Sequence, residues 1–257
     1  MSYVSSSSDR MSNYFGATLD NISKSKKSNL ILALDLAYRR DVSGLLHDAK
    51  RIVEATSDYL CAVKINYHLM LPLSIPEMSS LNKCISQNGL VSIADLKLND
   101  IDNTNRVATE YLWDAGFSAV IVNPFVGLDG ALDTVFERAH ELGKGVITLA
   151  YMSHRGADEG YGLKLNGKRT VFDEFLQRAR KWGSAGVILG TTRPLKIEKA
   201  RMVLGKEIKI ICPGSGAQGG DPMASIKAGA DYLIFGRAII ETQNPRVAAK
   251  NILKSLA

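Results

Sequence analysis

Short, nearly continuous apolar runs recur along the chain, with enough residues between them for a helix. Eight such runs occur, at Leu30–Leu36, Tyr59–Ile65, Gly89–Leu96, Ala119–Asn123, Gly145–Tyr151, Gly186–Gly190, Ile208–Cys212 and Tyr232–Gly236. Strands that are buried on both faces of a parallel sheet have this pattern, because water reaches neither set of side chains. The runs therefore predict eight buried parallel strands.

Between these runs, apolar residues are spaced by three and four positions, which places them on one face of a helix. The clearest examples are the stretches Val42–Val53 and Val107–Ala115. Four helical stretches end in a glycine just before the next strand, at Gly116, Gly143, Gly183 and Gly229. Glycine adopts the left-handed backbone conformation that ends a helix, so these junctions indicate alternating strand and helix units.

Eight strands, each followed by a helical stretch, predict an α/β fold, a single-domain (β/α)8 TIM barrel over residues 29–257. A doubly wound open sheet is the alternative, and the absence of a Gly-x-Gly-x-x-Gly motif after the first strand disfavours it as a dinucleotide-binding fold. Residues 1–28 lie outside the repeating pattern. We expect them to form either a flexible, serine- and lysine-rich tail or an extra N-terminal helix.

Composition narrows the class of protein. The chain has 257 residues, of which 46% are hydrophobic and 23% charged, values that exclude a disordered protein. No apolar run is long enough to span a membrane, and the N-terminus lacks the apolar core of a secretory signal. The net charge of +6 is not concentrated in a stripe, which disfavours nucleic-acid binding. Three widely separated cysteines are typical of free thiols in a reducing cytoplasm.

In a (β/α)8 barrel, chemistry occurs at the carboxyl ends of the strands, and the third predicted strand has the densest set of charges there. It ends in Asp95-Leu-Lys97-Leu-Asn-Asp100. Asp95 and Lys97 are two apart and should face the same side, and we expect Asp100 to enter the following helix. Two carboxylates favour a protonated lysine, which could deliver a proton to a carbanion. The alternative interpretation is a salt-bridged strand end with Asp100 as a helix cap.

Two glycine-containing segments follow the seventh and eighth strands, where this fold commonly binds phosphate. The first, residues 213–222, contains four glycines that would let backbone amides approach an anion. The second is Gly236-Arg237, whose guanidinium could donate two hydrogen bonds to a phosphate. A flexible loop and a surface arginine are the alternative interpretation. We favour a phosphate site because both segments occur where the fold places one.

Other polar residues give weaker signals. Ser153 follows the fifth strand and could hydrogen-bond a heteroaromatic edge, but no nucleophile motif surrounds it. The four histidines and three cysteines have no metal-ligand spacing, so no metal site is predicted.

Taken together, these segments resemble the orotidine 5′-monophosphate decarboxylase family in its shorter, archaeal-like form. The resemblance extends from about Leu30 to the C-terminus. It is carried by Leu-Ala-Leu-Asp35, Val-Lys64, Asp95-x-Lys97-x-x-Asp100-Ile-x-x-Thr104-Asn, Met-Ser153-His-x-Gly-Ala, Pro213-Gly214-x-Gly-Ala-Gln218-Gly-Gly-Asp and Gly236-Arg237. Six motifs in this order, each at a predicted strand end, form a specific pattern.

The resemblance implies decarboxylation of orotidine 5′-monophosphate (OMP) to UMP, without metal or organic cofactor. It implies that Lys97 protonates the carbanion, that Asp95 lies beside the departing carboxylate, and that Ser153 binds the pyrimidine. It also implies further substrate-binding residues: Asp35 and Lys64 on the ribose, and Pro213, Gly214, Gln218, Gly236 and Arg237 at the phosphate. Finally, it implies a homodimer, obligatory for activity, in which Asp100 and Thr104 reach into the partner subunit's site.

Two departures from the family pattern are Arg155, often proline in relatives, and Ser215, often apolar. They concern loop rigidity and leave the charged residues unchanged. The nearest rival is a magnesium-dependent sugar-phosphate decarboxylase or aldolase of the same superfamily, which needs a carboxylate where this chain has Lys64. A catalytically silent barrel acting as a binding protein is a second rival, disfavoured by the intact charged residues.

Overall fold

Eight parallel strands close into a barrel in the computed structural model, which describes residues 14–214 and 219–256. The strands are β1 Leu30–Ala33, β2 Ala62–Asn66, β3 Val91–Leu98, β4 Ala119–Val122, β5 Gly145–Tyr151, β6 Gly186–Leu189, β7 Lys209–Pro213 and β8 Tyr232–Phe235. Each strand pairs with the next, and β8 pairs with β1. Every predicted strand is found, and the closed order confirms the barrel over the open sheet.

Helices connect the strands and cover the outside of the barrel. They are α1 Tyr14–Lys26, α2 Val42–Thr56, α3 Tyr67–Met70, α4 Ile75–Gln87, α5 Asp102–Asp114, α6 Asp133–Glu141, α7 Ala157–Tyr161, α8 Val171–Lys181, α9 Pro194–Leu204, α10 Pro222–Lys227, α11 Arg237–Ile240 and α12 Pro245–Ser255. Short 3₁₀ turns cover Ser57–Tyr59 and Pro124–Val126. All four predicted junction glycines have positive φ, between 64° and 109°, as expected for residues that end a helix.

The apolar core has two layers because each strand is buried on both faces. One layer lies between the barrel and its helices and includes Val63, Phe117 and Leu176. The other fills the barrel interior, with Ile31 and Ile147 among its members. Alternate residues of each strand point into the barrel. At the carboxyl ends of the strands, the inward-pointing side chains therefore meet in one space next to this interior layer.

Helix α1 closes the end of the barrel at which the strands begin. Its Phe15 and Leu19 belong to the interior layer and are 3% and 0% exposed. A Cβ on Gly145, the first residue of β5, would lie 2.6 Å from Phe15 Cγ, so the ring occupies space that only glycine leaves free. Asp20 accepts hydrogen bonds from Lys209 Nζ at 2.6 Å and from the Tyr232 hydroxyl at 2.5 Å. Residues 14–26 are thus an extra helix packed on the strands' amino ends, and residues 1–13 lie outside the described part.

Candidate active site

A cavity of about 340 Å³ lies at the carboxyl ends of the strands. Its lining includes most of the residues that the sequence singled out: Asp35, Lys64, Asp95, Lys97, Ser153, Pro213, Gly214, Gly236 and Arg237. They come from the ends of β1, β2, β3, β5, β7 and β8, which the barrel closure brings around one space. Six separate sequence motifs therefore contribute to one site.

A chain of alternating charges forms one wall of this cavity. Lys64 Nζ donates to Asp95 Oδ2 at 2.7 Å, and Lys97 Nζ donates to Asp95 Oδ1 at 2.6 Å. Lys64 Nζ also lies 3.7 Å from Asp35 Oδ1. Asp95 is therefore held between two ammonium groups, each bonded to a different carboxylate oxygen.

Burial and charge compete in setting the protonation of the two inner groups. Desolvation raises the pKa of Asp95, but the ammonium groups of Lys64 and Lys97 outweigh it and hold that pKa below its ordinary value. Desolvation lowers the pKa of Lys64, but the carboxylates of Asp95 and Asp35 outweigh it and raise that pKa above its ordinary value. Both groups are therefore charged at neutral pH.

Lys97 has an unusual backbone conformation. Its φ is +51°, a left-handed value that side-chain-bearing residues adopt infrequently and that costs conformational energy. The pairing of β3 with β4 shifts register between Ala94 and Leu98, so Lys97 lies in an irregular part of the strand. The predicted juxtaposition with Asp95 is confirmed, but simple strand alternation does not produce it. This irregularity of the strand orients the Lys97 ammonium toward the Asp95 carboxylate.

Ser153 reaches the cavity because the neighbouring strand end has no side chain. A Cβ on Gly190, just after β6, would lie 2.8 Å from both Cα and Cβ of Ser153. The segment after Ser153 is anchored by Asp158, which accepts hydrogen bonds from the Tyr151 hydroxyl and from Arg193. The position of Ser153 is thus fixed from both sides.

The part of the lining that follows β7 and β8 is suited to an anion. Arg237 is the first residue of α11, is exposed and lines the cavity beside Gly236. Gly214 follows the neighbouring strand β7 and lines the same cavity, with a φ of +101° that favours glycine. Gln218 and Ser215 lie outside the described residues.

Asp100 and Thr104 do not line the cavity of their own chain; both are exposed. The expectation that Asp100 enters the next helix is wrong, because α5 begins at Asp102 with Ile101 as its N-cap. Asp100 Oδ1 instead accepts from the Ile101 backbone N–H at 2.8 Å. The buried Asn105 amide donates to the Asp100 and Ala131 carbonyls, so it fixes the backbone on which Asp100 is carried.

Sequence reasoning missed some of the lining, including Asn66, Met152 and Glu241. The second strand was predicted to end at Ile65, one residue before Asn66, so Asn66 was not counted as part of that strand end. The signal that could have found Asn66 is its position two residues beyond Lys64, on the same face of β2.

Some classes of site are absent from the described part of the chain. Residues 14–214 and 219–256 contain no group of three or more His, Cys, Asp or Glu side chains placed to hold a metal ion. Across the same ranges, no helix has the length and apolar character needed to cross a membrane. Cys61, Cys84 and Cys212 are buried free thiols, as expected.

Comparison with known proteins identifies the family. Residues 28–252 match the model of the orotidine 5′-phosphate decarboxylase / HUMPS family. Orotidine 5′-phosphate decarboxylase of Pyrococcus furiosus is 38% identical over 227 residues, which cover 88% of this chain and 97% of that protein.

Solved structures agree with this match. The orotidine 5′-phosphate decarboxylase of Pyrococcus horikoshii OT3 is 37% identical with a TM-score of 0.70, over 88% of this chain and 98% of that one. The orotidine 5′-monophosphate decarboxylase of Methanocaldococcus jannaschii, in complex with the inhibitor BMP, is 31% identical with a TM-score of 0.76, over 89% and 98%. The expected fold and carboxy-lyase class are confirmed, and the chain belongs to the orotidine 5′-phosphate decarboxylase / HUMPS family.

Proposed function

We propose that this protein decarboxylates OMP to UMP, the last step of de novo pyrimidine nucleotide synthesis, with no metal or organic cofactor. The observation that carries the proposal is the arrangement of Lys64, Asp95 and Lys97, in which one buried carboxylate is bonded to two ammonium groups beside a cavity. The names of the curated relatives support the substrate.

The reaction requires stabilisation of negative charge on carbon. When the bond from C6 to the carboxylate breaks, its electron pair remains on C6, in a ring that delocalises it poorly. The Lys97 ammonium would stabilise this charge and then transfer a proton to C6, after which the neutral lysine takes a proton from solvent. The bond to Asp95 holds the ammonium in place before the reaction, so little reorganisation is needed.

Asp95 would lie beside the substrate carboxylate. Its lowered pKa supports a full negative charge, which repels the carboxylate and favours its departure as neutral carbon dioxide. Asp35 and Lys64 would bind the ribose hydroxyls, and Ser153 the pyrimidine edge. Each has a position on the cavity wall that supports its role.

The phosphate would bind at the part of the lining that follows β7 and β8, to Arg237, Pro213, Gly214, Gln218 and Gly236. The exposed arginine and the glycine-rich segment support this, since loops after the seventh and eighth strands of such barrels commonly bind phosphate. Binding energy gained there can lower the barrier at C6 if it closes the 213–222 loop over the substrate.

We further propose a homodimer in which Asp100 and Thr104 complete the partner subunit's site. Both are exposed and lie apart from their own cavity, which supports a role elsewhere. Large apolar side chains are exposed on the segments that follow β2, β3 and β4: Tyr67, Leu71, Ile101, Val107, Tyr111 and Phe125. Such a surface is typical of a protein–protein interface.

The free thiols support the expectation of a cytoplasmic enzyme. The net positive charge is not concentrated in a basic stripe, which supports the expectation that the enzyme binds neither nucleic acid nor membrane. The rival function is the magnesium-dependent sugar-phosphate chemistry of the same superfamily. Lys64 argues against it, because its charged ammonium occupies the position where a metal-binding carboxylate would be needed and would repel the cation.

A turnover assay distinguishes the proposed function from its rivals. Purified protein is supplied with OMP, with and without excess chelator, and UMP is quantified. Equal UMP formation in both arms is expected. Activity that chelator abolishes and magnesium restores would favour the metal-dependent branch, and no turnover of OMP would refute the proposed function.

A further inference from the structure

The buried side chain of Asn105 joins two chain segments at the carboxyl end of the barrel. Asn105 lies near the start of α5 and is 0% exposed. Its Nδ2 donates one hydrogen bond to the Asp100 carbonyl, before the helix begins, and another to the Ala131 carbonyl at 2.9 Å, between β4 and α6. Its Oδ1 is buried and has no hydrogen-bond partner among residues 14–214 and 219–256. The two bonds from Nδ2 must therefore account for the burial of this amide, since an unpaired acceptor costs free energy.

Two further hydrogen bonds join the same two segments. The Asp102 backbone N–H donates to the Gly130 carbonyl at 3.0 Å, and the Asp102 carboxylate accepts from the Thr134 hydroxyl. The start of α5 is thus held on the segment that follows β4. Asn105 extends this attachment back along the chain to Asp100 itself.

The Asp100 side chain has only a local bond to fix it within the described residues. It is exposed, and its Oδ1 accepts from the backbone N–H of the next residue, Ile101, at 2.8 Å. A bond to the adjacent residue moves with Asp100 and does not fix it relative to the barrel. The location of the Asp100 carboxylate therefore depends on its backbone, which Asn105 holds.

We infer that Asn105 is a positioning residue that acts through Asp100 and therefore affects catalysis in the partner subunit's site. Asn105 does not line the cavity of its own chain. Its loss would free the Asp100 carbonyl, and a displacement of about 1 Å at a catalytic group can cost about a hundredfold in rate. The inference rests on the proposed function, in particular on the shared site, and adds to it a residue that acts across the interface.

The first test compares Asn105→Ala with Asn82→Ala as a matched control. Asn82 is also buried, its Nδ2 donates to the Ala115 carbonyl at 2.7 Å, and its Oδ1 likewise lacks a partner. It holds the far end of α5, away from Asp100. Both substitutions should lower the unfolding midpoint. At a temperature where both variants are folded, kcat for OMP should fall about ten- to a hundredfold in Asn105→Ala and less than about twofold in Asn82→Ala. Equal kcat in the two variants would overturn the inference.

Mixed dimers show on which subunit Asn105 acts. Asn105→Ala chains are combined with an excess of Lys97→Ala chains under conditions that let dimers re-form. In a mixed dimer, the site that keeps Lys97 belongs to the Asn105→Ala chain, and it receives Asp100 from a partner whose Asn105 is intact. Turnover per Asn105→Ala chain should therefore rise about ten- to a hundredfold, to nearly the unaltered level. Asn82→Ala chains treated in the same way should show no such rise.

Absence of this rise, with mixed dimers shown to be present, would overturn the inference. If Asp100→Ala chains recover activity in the same mixture and Asn105→Ala chains do not, Asn105 acts within its own subunit while the shared site stands. If neither recovers, the shared site fails and the inference fails with it. If the unaltered enzyme does not turn over OMP, the proposed function itself fails, an outcome distinct from the other two.

Discussion

Lys64 donates a 2.7 Å hydrogen bond to Asp95 where the two side chains are only 6% and 7% exposed. Removing two charges from water costs several kcal/mol per ion in an ordinary protein interior, and an apolar pair of similar volume is often at least as stable. The pair is thus poorly explained by stability alone. A role in the reaction explains it better, because Lys64 fixes the Asp95 carboxylate that also accepts a hydrogen bond from Lys97.

The pairing of Asp95 with two ammonium groups predicts that the stability of the fold depends on pH. The pKa of Asp95 lies below its ordinary value of 3.8 in the folded chain, so the unfolded chain binds its proton first as the pH falls. The stabilisation is present above the ordinary value and is lost as the pH falls through the folded value. We expect the free energy of unfolding, measured by denaturant titration, to fall as the pH is lowered from about 5 through the folded pKa of Asp95.

Asp95→Asn supplies the comparison for this prediction, because it has no carboxyl group to titrate. Its free energy of unfolding should be lower than that of the unaltered protein at neutral pH, by about 3 kcal/mol if the buried Lys64 charge is left poorly compensated. Its decline with acid should be shallower. Parallel declines in the two proteins would contradict the assigned role of Asp95.

Lys97→Ala should reduce turnover of OMP at least about 10²- to 10⁴-fold, since it removes the proton donor, and the lost charge stabilisation adds to this. UMP affinity should change little, because the ribose and phosphate contacts remain. Single-turnover kinetics and UMP titration measure the two effects. Lys206→Ala, on the opposite end of the barrel, is the control and should retain activity. Near-normal turnover by Lys97→Ala would refute the mechanism.

Much of this site could be predicted because buried parallel strands have a clear sequence signature. Once the strands are located, their carboxyl ends follow, and Asp35, Lys64, Asp95, Lys97 and Arg237 are read directly from those ends. Their convergence needs only closure of the barrel, which the eightfold alternation predicts.

The parts that sequence missed depend on contacts between distant residues or on local irregularity. The left-handed φ of Lys97 arises from a register shift between strands, which residue patterns do not reveal. The burial of Phe15 depends on space left by Gly145, 130 positions away. Asn66 lines the cavity one residue beyond the predicted end of the second strand, because the apolar run does not fix the residue at which that strand stops.

The proposed phosphate contact predicts a difference between two substrates. Arg237→Ala should weaken binding of OMP by about ten- to a hundredfold, the effect of losing a charge-assisted hydrogen bond. Orotidine, which lacks the phosphate, should be processed equally well by both proteins. Steady-state kinetics with each substrate give the comparison. Equal losses on OMP and orotidine would show that Arg237 has another role.

The packing of α1 predicts coupling between Phe15 and Gly145. Phe15→Ala should lower the free energy of unfolding by about 3–5 kcal/mol, because it leaves a void in the barrel interior. Gly145→Ala should cost about 1–3 kcal/mol, since its Cβ would clash with the ring. In the Phe15→Ala background the second substitution should cost much less. Denaturant titration of the four proteins measures this, and additive effects would contradict the proposed contact; kcat should be unchanged by Phe15→Ala.

Mixed dimers test whether Asp100 serves the partner subunit. Lys97→Ala and Asp100→Ala chains, each inactive alone, are combined under conditions that let dimers re-form. In a mixed dimer, the site on the Asp100→Ala chain keeps its own Lys97 and receives an intact Asp100 from its partner, so it is complete. The other site lacks both groups. Pairing without preference makes about half of the dimers mixed, so about a quarter of all sites should be complete.

Activity of the mixture should therefore recover to about a quarter of the unaltered level under random two-fold assembly. Native mass spectrometry of chains of different mass establishes that mixed dimers are present. If Asp100 acted within its own chain, one site of a mixed dimer would lack Lys97 and the other would lack Asp100, so no complete site could form. Activity that stays at the level of the parents, with mixed dimers present, would refute the shared site. Thr104→Ala in place of Asp100→Ala repeats the test for the second residue that we assign to the partner's site.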